Sequence, residues 1–275
     1  MDPASGSASS PVEVTEGCGP LILAMPHTGT HVPGRIFELL NAEGRLLRDT
    51  DWRVEQLYEG LAPNATVVRA TFHRYVIDAN RDPTGASLYP GQNTTGLIPL
   101  TNFDGENIWN EPPGDKEVER RLKEFHAPYH YALGEQAARV RKEHGVAILY
   151  DCHSIRSHIP HLFEGVLPDL NIGTNDGASC AGEFEKTARR IAEASGFSSV
   201  VNGRFKGGWT TRRYGNPSAG VHAIQMELSQ GRYLATETPP FEYDAERAKI
   251  LRTVLRGLLG EMESAAMKLA QGGPA

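Results

Sequence analysis

VAILYDCHSI, residues 146–155, contains a strongly apolar run that is the best single indication of the fold. Its first five residues are apolar or aromatic, and a short run of this composition predicts a buried strand at residues 146–150. The run leads directly into Asp151, Cys152 and His153, so polar side chains stand at the carboxyl end of the predicted strand. Ligands of parallel α/β sheets bind beyond that end of the strands. The stretch therefore predicts a strand and a functional position directly after it.

Short apolar runs and longer amphipathic segments alternate on both sides of this stretch. The apolar runs predict further strands at residues 21–25, 66–70, 75–78, 197–202 and 221–228. The amphipathic segments predict helices at residues 34–48, 52–60, 115–144, 181–195 and 243–269. The last helix has a predicted apolar stripe of Ile250, Val254, Leu258 and Met262. Alternating strands and helices predict a single α/β domain with a mostly parallel mixed sheet and helices on both faces.

Three segments do not fit this alternation. Residues 1–17 are rich in Ser, Pro and Ala and predict a disordered tail, which leaves residues 18–270 as a single catalytic domain. Residues 83–114 are rich in Gly, Pro, Asn and Thr, and a long irregular segment inside a compact domain is usually functional. Residues 203–217 predict a loop rich in Gly and Arg.

Composition limits the class of partner and the compartment. The net charge of −6 over 275 residues disfavours a nucleic-acid partner, whereas a small acidic substrate needs only one or two well-placed arginines. Three cysteines without a CxxC pair fit a reducing compartment, and the amino terminus lacks the features of a secretory signal. No apolar run reaches the ~18 residues of a membrane span. We expect a cytoplasmic protein without membrane partners, as a monomer or small homo-oligomer.

Several polar side chains converge on the predicted carboxyl edge of the sheet. His27, His153 and Glu227 each lie at or near the end of a predicted strand, and Asn80 and Arg81 follow another. Because the carboxyl ends of parallel strands meet at one edge of the sheet, this convergence predicts an active site there.

Two of these side chains are candidate metal ligands. His27 and His153 both follow apolar strands and stand beside small polar residues. A catalytic zinc site takes three protein ligands from His and Asp or Glu, so one carboxylate is required. Asp51 is a candidate, but spacing alone favours a role as the N-cap of the helix that begins near Trp52.

Glu227 lies in IQMEL, an apolar strand, where a carboxylate must be paired, protonated or catalytic. One interpretation makes it the general base of a hydrolase, and the other pairs it with Arg212 or Arg213 in a buried salt bridge. These two arginines are also candidates for binding a substrate carboxylate. Arg81 is the stronger candidate, because it follows a strand among Asp and Asn residues.

Common catalytic motifs are missing from the sequence. It contains no P-loop, no GxGxxG at a strand–helix turn, no GxSxG and no HExxH. Cys152 stands beside His153, but adjacent strand residues point to opposite faces and do not easily form a Cys–His dyad. We interpret Cys152 as a small buried residue.

Five motifs together resemble the N-formylglutamate amidohydrolases (deformylases), over about residues 20–265. The motifs are MPHTGTHVP (25–33), TDWRVEQLY (50–58), VIDANRDP (76–83), LYDCHSI (149–155) and IQMELSQ (224–230). The family is similar in fold to zinc carboxypeptidases and to acyl-amino-acid hydrolases. The resemblance therefore implies a phosphorylase/hydrolase-like α/β sheet.

The resemblance also implies the metal centre and the base. It makes His27, Asp51 and His153 the ligands of one zinc ion, against the interpretation of Asp51 as a cap. Glu227 becomes the general base. His31 lies in a loop with Pro and Gly, where i, i+4 spacing does not serve a metal, so we place it in the surroundings of the ligands.

The substrate contacts implied by the resemblance involve arginines. Asn80 and Arg81 resemble the Asn-Arg pair that binds a substrate carboxylate in the related enzymes, and Arg81 is also a candidate for stabilising the oxyanion. We expect the basic segment 206–213 to bind a second carboxylate through Arg212 and Arg213, without a choice between them.

The implied reaction is hydrolysis of N-formyl-L-glutamate to formate and L-glutamate in histidine degradation. One alternative is a hydrolase of the same fold that acts on N-succinyl or N-acetyl amino acids or on short peptides. Another is a non-catalytic domain that binds a metal or an anion.

Overall fold

A computed structural model describes residues 10–88 and 91–272, which form a seven-stranded mixed sheet between helices. The strands are β1 (Val12–Thr15), β2 (Leu21–Met25), β3 (Thr66–Ala70), β4 (Ala147–Ile155), β5 (Leu170–Gly173), β6 (Ser199–Val201) and β7 (Val221–Ser229). Their order is β1-β3-β2-β4-β7-β5-β6. Strands β3, β2, β4 and β7 are mutually parallel, whereas β1 and β5 run antiparallel to β3 and β7. This architecture confirms the predicted α/β fold.

Seven α-helices and four shorter helical segments connect the strands in the described part of the chain. The α-helices are α1 (Gly34–Phe37), α2 (Val54–Tyr58), α3 (Asp115–Arg121), α4 (Ala127–His144), α5 (Gly182–Ala194), α6 (Trp209–Tyr214) and α7 (Ala245–Gln271). The other segments are 3₁₀ turns at Gly44–Leu46, Pro217–Ala219 and Gln230–Arg232 and a π-helical segment at Leu122–His126. Over the residues described, none of these helices combines the length and the apolar character that crossing a membrane requires.

The central strands are buried on both faces because helices cover each face. In β4, Ile148 and Tyr150 belong to the core that α2, α5 and α7 cover, and Ala147 and Leu149 belong to the core beneath α1 and α4. Successive side chains of a strand point to opposite faces, so an uninterrupted apolar run is what a two-sided environment requires. This is why the run at residues 146–150 predicts its strand correctly.

The amino-terminal prediction is wrong for part of its range. Strand β1 pairs antiparallel with β3, with Val12 opposite Ala70, and therefore extends the sheet by one edge strand. Its sequence VEVT has the β-branched residues that favour extended backbone, which composition averaged over residues 1–17 conceals. Residues 1–9 lie outside the described residues.

The strand predicted at residues 75–78 is also wrong. This segment is irregular, with hydrogen bonds from Val76 N to His73 O and from Asp78 N to Leu97 O, and it pairs with no strand in the described sheet. Its side chains are nevertheless fully buried, so the apolar run reflects core packing without sheet pairing. Because residues 75–78 pair with no strand, their carbonyl groups need other hydrogen-bond partners.

Two predicted helices differ in detail. The helix expected at residues 34–48 ends at Phe37, and a 3₁₀ turn follows at Gly44, whose backbone N–H donates to the Asn41 side chain at 2.9 Å. In α7, Ile250 is 63% exposed, so the predicted stripe is wrong at its first position. The buried stripe consists of Leu251, Leu255, Leu258, Leu259 and Met262.

Candidate active site

The predicted convergence of polar side chains is found at the carboxyl edge of the sheet. His27 follows β2, and the register of β4 and β7 places His153 directly opposite Glu227. The exposed fractions of His27, His153 and Glu227 are 2%, 2% and 7%, so all three are buried below the surface.

His27, Asp51 and His153 form a group that could hold a metal ion. Their ligand atoms all lie within 4.8 Å of one another. The Nδ1 atom of His153 is 3.2 Å from Nδ1 of His27 and 3.0 Å from Oδ2 of Asp51. Two imidazoles and one carboxylate are the donor set of an open catalytic zinc site, with one coordination position left for water or substrate.

Asp51 faces this group and does not cap a helix. Helix α2 begins at Val54, its N-cap residue is Arg53, and no side chain accepts a hydrogen bond at the cap. The Asp51 carboxylate instead accepts from Ser154 N at 3.2 Å. The interpretation as a cap is therefore wrong. Burial raises the pKa of Asp51, but hydrogen bonds from His153 and His27 outweigh burial and lower it, so the carboxylate is charged.

Each histidine of the group also contacts a second carboxylate. His27 Nε2 lies 2.7 Å from Asp78 Oδ1, and His153 Nε2 lies 3.0 Å from Asp151 Oδ2. A hydrogen bond from Nε2–H to a carboxylate fixes the tautomer of the neutral ring, so Nδ1, which donates to Asp51 when the ring is protonated, would have a lone pair for a metal when the ring is neutral. Burial opposes the charge of Asp78, yet Arg81 and His27 hold its pKa well below the usual range. Both orienting carboxylates were missed by sequence reasoning, although both lie in the quoted motifs.

Glu227 has the properties of a protonatable base. Burial is the main reason that its pKa is raised to about 8, and the charge of His153 opposes this rise. Its Oε2 accepts a hydrogen bond from Gln225 Nε2 at 3.3 Å. A carboxylate with a pKa near neutrality can both accept and return a proton at physiological pH.

These side chains line a cavity that has a polar part and an apolar part. Its polar part includes His27, His153, Glu227, Asn80 and three arginines, and its apolar part consists of Phe103, Ile155, Leu162 and Phe205. Thr94, Thr95 and Phe103 come from the long segment 83–114, which agrees with the expectation that this segment is functional.

The three arginines of the cavity are Arg74, Arg81 and Arg204. Arg74 is buried, contacts His27 Nδ1 through Nη2, and lies 3.3 Å from Asp51 Oδ1. Burial disfavours its charge, but Asp78 and Asp51 raise the pKa of Arg74 above its ordinary value. Sequence reasoning missed Arg74, although a charged residue directly before the apolar run 75–77 was a usable signal.

Arg81 is held rigidly by its neighbours. Its Nε and Nη2 donate to the backbone and side-chain oxygens of Thr95 at 2.8 and 2.9 Å, and its Nη1 donates to Asn80 O at 3.0 Å. Arg204 donates from Nε to Leu162 O at 3.0 Å and from Nη2 to Asn93 O at 2.6 Å. A guanidinium has five N–H groups, and Arg81 uses three of them in these contacts, so Arg81 keeps further donors for a ligand in the cavity.

Arg212 and Arg213 do not line this cavity. They belong to α6, where Arg212 Nε donates to Gly207 O at 3.0 Å and Arg213 lines a separate surface cavity. The geometry thus corrects the expectation that this pair faces a substrate. The physical reason is that residues 209–214 form a helix rather than an open loop: Gly208, directly before the helix, lines the active-site cavity, whereas Trp209 and Arg213 line the other one.

Three further residues complete the comparison with the sequence. Asn80 Nδ2 donates to Asp151 Oδ2 at 3.5 Å, and its Oδ1 accepts from Thr210 N at 2.8 Å, so Asn80 contacts the carboxylate that orients His153. His31 is exposed and lines a separate surface cavity rather than the one that His27 and His153 line. Cys152 is fully buried in the core, as interpreted.

Comparison with known proteins identifies the family. The family described as N-formylglutamate amidohydrolase matches residues 19–234. The chain belongs to that family. It is 45% identical over 248 residues to an N-formylglutamate deformylase of Pseudomonas putida, with 89% of this chain and 92% of the relative covered. A protein of the same name from Pseudomonas aeruginosa is 46% identical over 244 residues, covering 87% and 91%.

Two solved structures share the fold. A crystal structure of N-formylglutamate amidohydrolase from Ralstonia eutropha JMP134 has a TM-score of 0.79 at 25% identity, covering 94% of this chain and 99% of that one. A gene product of Agrobacterium tumefaciens has a TM-score of 0.73 at 18% identity, covering 95% and 97%. The second likeness concerns the fold alone.

Proposed function

We propose that this protein hydrolyses N-formyl-L-glutamate to formate and L-glutamate with the help of one zinc ion. The observation that carries the proposal is the buried group of His27, Asp51 and His153, with Glu227 next to His153 on the neighbouring strand and a cavity that three arginines line. The names of the Pseudomonas relatives support the choice of substrate.

The donor set fits zinc, and each histidine has a carboxylate that orients it. His27, Asp51 and His153 would hold the ion. When bound, zinc acts as a Lewis acid that lowers the pKa of a water molecule and polarises the amide carbonyl.

Glu227 moves the proton in this mechanism. It takes a proton from the water that attacks the formyl carbon and delivers it to the amide nitrogen as the C–N bond breaks. The products are formate and L-glutamate, whose amino group is now free. Its raised pKa suits both transfers, because burial weakens the preference for the charged form.

Arg74 is placed to stabilise the oxyanion of the tetrahedral intermediate. It contacts His27 Nδ1 and lies 3.3 Å from Asp51 Oδ1, whereas Arg81 is held by the carbonyl groups of Thr95 and Asn80. We therefore assign the oxyanion to Arg74, and assign one substrate carboxylate to Arg81 with support from Asn80. A charged donor fixed in a buried site stabilises developing charge without reorganisation.

Arg204 is our candidate for the second carboxylate, in place of Arg212 and Arg213. It lines the cavity next to the apolar wall, and contacts to Leu162 O and Asn93 O hold its guanidinium in place. Two fixed arginines would explain selection of a dicarboxylate, because each bidentate contact adds both energy and geometry.

Replacing Arg204 with methionine is expected to raise KM for N-formyl-L-glutamate by about 10- to 100-fold, because a charge-assisted contact is lost. KM for N-formyl-L-glutamine, which lacks the side-chain charge, should change little. Steady-state kinetics with both substrates measures this difference. Arg213→Met, an exposed arginine in another cavity, is the matched control. If Arg213→Met shows the selective loss and Arg204→Met does not, our assignment is wrong and the expectation from the sequence is restored.

The proposed function is tested by release of formate from N-formyl-L-glutamate, with a chelator and with zinc added back. Release that the chelator stops and zinc restores is the expected result. If protein with full metal content releases no formate, N-formyl-L-glutamate is excluded as the substrate. N-succinyl and N-acetyl amino acids would then be assayed. Inactivity on the whole panel would favour the non-catalytic alternative.

The cellular setting follows from the substrate and the composition. We propose a role in histidine degradation in the cytoplasm, supported by the substrate assignment and by the free cysteines Cys18, Cys152 and Cys180.

A further inference from the structure

The turn at residues 79–81 brings Asn80 and Arg81 into the cavity without the support of a neighbouring strand. Each of its three carbonyl groups contacts a side-chain nitrogen. Ala79 O lies 2.8 Å from His130 Nε2, Arg81 O lies 3.0 Å from His126 Nε2, and Asn80 O accepts from Arg81 Nη1. A carbonyl oxygen can only accept, so both imidazoles donate through Nε2–H.

The helix that presents these histidines has an unusual geometry. Arg121 ends α3, donates to Val76 O at 3.0 Å, and is followed by the π-helical segment Leu122–His126. In a regular α-helix, residues five apart are turned by about 140° from each other. The π-helical hydrogen bonding (i to i+5) brings Arg121 and His126 to the same side, and α-helical spacing then adds His130.

This one helix face therefore binds the irregular segment from Val76 to Arg81 along its length. π-helical segments are rare, and they occur frequently at functional sites. His126 is buried and His130 is half-buried, and burial lowers the pKa of His126 and lowers that of His130 to about 3. Both are therefore neutral, with a single N–H that is committed to the turn.

We infer that His126 and His130 are positioning residues that fix Asn80 and Arg81 in the geometry that binds substrate. They act through the backbone of the turn and do not line the cavity. The inference rests on the proposed function for its kinetic consequences, but its structural content, a turn held by two imidazoles, is independent of the substrate.

The first test separates loss of the N–H from loss of the side chain. His126→Leu should raise KM for N-formyl-L-glutamate about tenfold with a smaller effect on kcat, because a hydrogen bond to the turn is lost. His126→Gln, whose amide can donate to Arg81 O, should recover most of the loss. Tyr131→Ala, on the same helix at 72% exposure, is the control and should match the wild-type protein. Equal KM for His126→Leu and wild type would overturn the inference.

The second test asks whether His126 acts through Arg81. In an Arg81→Met background, His126→Leu should have little further effect on KM, since residues that act through one contact are not additive. Full additivity would assign His126 a general structural role and would overturn the inference.

Amide hydrogen exchange in residues 75–82 provides a measurement that needs no activity. Exchange should be faster in His126→Leu and His130→Phe than in wild type, and near wild type in His126→Gln. Unchanged exchange in both apolar variants overturns the inference whatever the kinetics show. If the wild-type protein releases no formate, the proposed function fails, and hydrogen exchange still decides this inference.

Discussion

Glu227→Gln is expected to lower kcat for N-formyl-L-glutamate by about 10²–10⁴-fold, the range for loss of a general acid–base group. The amide has the shape of the carboxyl group and can keep the contact with Gln225, so the fold and the metal-binding group should be preserved. Zinc content and thermal unfolding should therefore match the wild-type protein. Steady-state formate release, metal analysis and calorimetry measure the three quantities.

Glu55→Gln is the matched control for this substitution. Glu55 is a partly buried carboxylate on α2 whose pKa is also raised, mainly by burial, and it lies outside the active-site cavity. Its replacement should leave kcat within about twofold, because surface and rim substitutions away from the site have small effects. A Glu227→Gln enzyme that keeps wild-type turnover would falsify the assignment of the base.

The pH dependence of kcat/KM is an independent test of Glu227 as the general base. Glu227 must be deprotonated to accept a proton, so activity rises as pH rises through its pKa. Burial raises that pKa to about 8, and a bound cation would lower it. We therefore expect the acid limb of the wild-type profile to have its midpoint below 8 but above the ordinary value for glutamate. The limb should disappear from the residual activity of Glu227→Gln.

The sequence predicts a strand correctly where its local composition matches its environment in the fold. β2, β4 and β7 are apolar because helices cover both faces, so the pattern and the structure have one cause. The segment 75–78 is equally apolar but packs without strand pairing, and periodicity cannot distinguish these environments. The edge strand β1 depends on pairing with β3, which lies more than fifty residues further along the chain.

In the candidate site too, sequence predicts the residues that backbone topology positions and misses those that packing positions. The positions of His27, His153 and Glu227 follow from the ends of strands, because backbone topology alone brings those ends together. The arginines were harder to rank, because their long side chains can reach several surfaces. Arg74 and Arg204 point into the cavity, whereas Arg213 points into another one, and only packing determines that direction.

Asp51→Ala is expected to lower the affinity for zinc by more than the 10–100-fold loss typical of an orienting carboxylate. The substitution removes one of three proposed ligands and leaves His27 and His153 as a two-donor site. Activity should be lost at stoichiometric zinc and should return in part when zinc is in large excess. Competition with a graded series of chelators measures the affinity, and formate release measures the recovery.

Two further variants make this experiment specific. Asp78→Asn, which changes the carboxylate that contacts His27 Nε2, should show the smaller loss of about 10–100-fold. Asp49→Asn should bind zinc normally, because Asp49 is buried against Tyr75 and Phe103 rather than in the metal-binding group. Burial raises the pKa of Asp49 to about 7, so the neutral amide resembles the form that the residue takes below that pH. The predicted order of zinc affinity is therefore Asp49→Asn above Asp78→Asn above Asp51→Ala. An Asp51→Ala protein that binds zinc as tightly as Asp49→Asn would remove Asp51 from the ligand set, and the helix-cap alternative is already excluded by the geometry of α2.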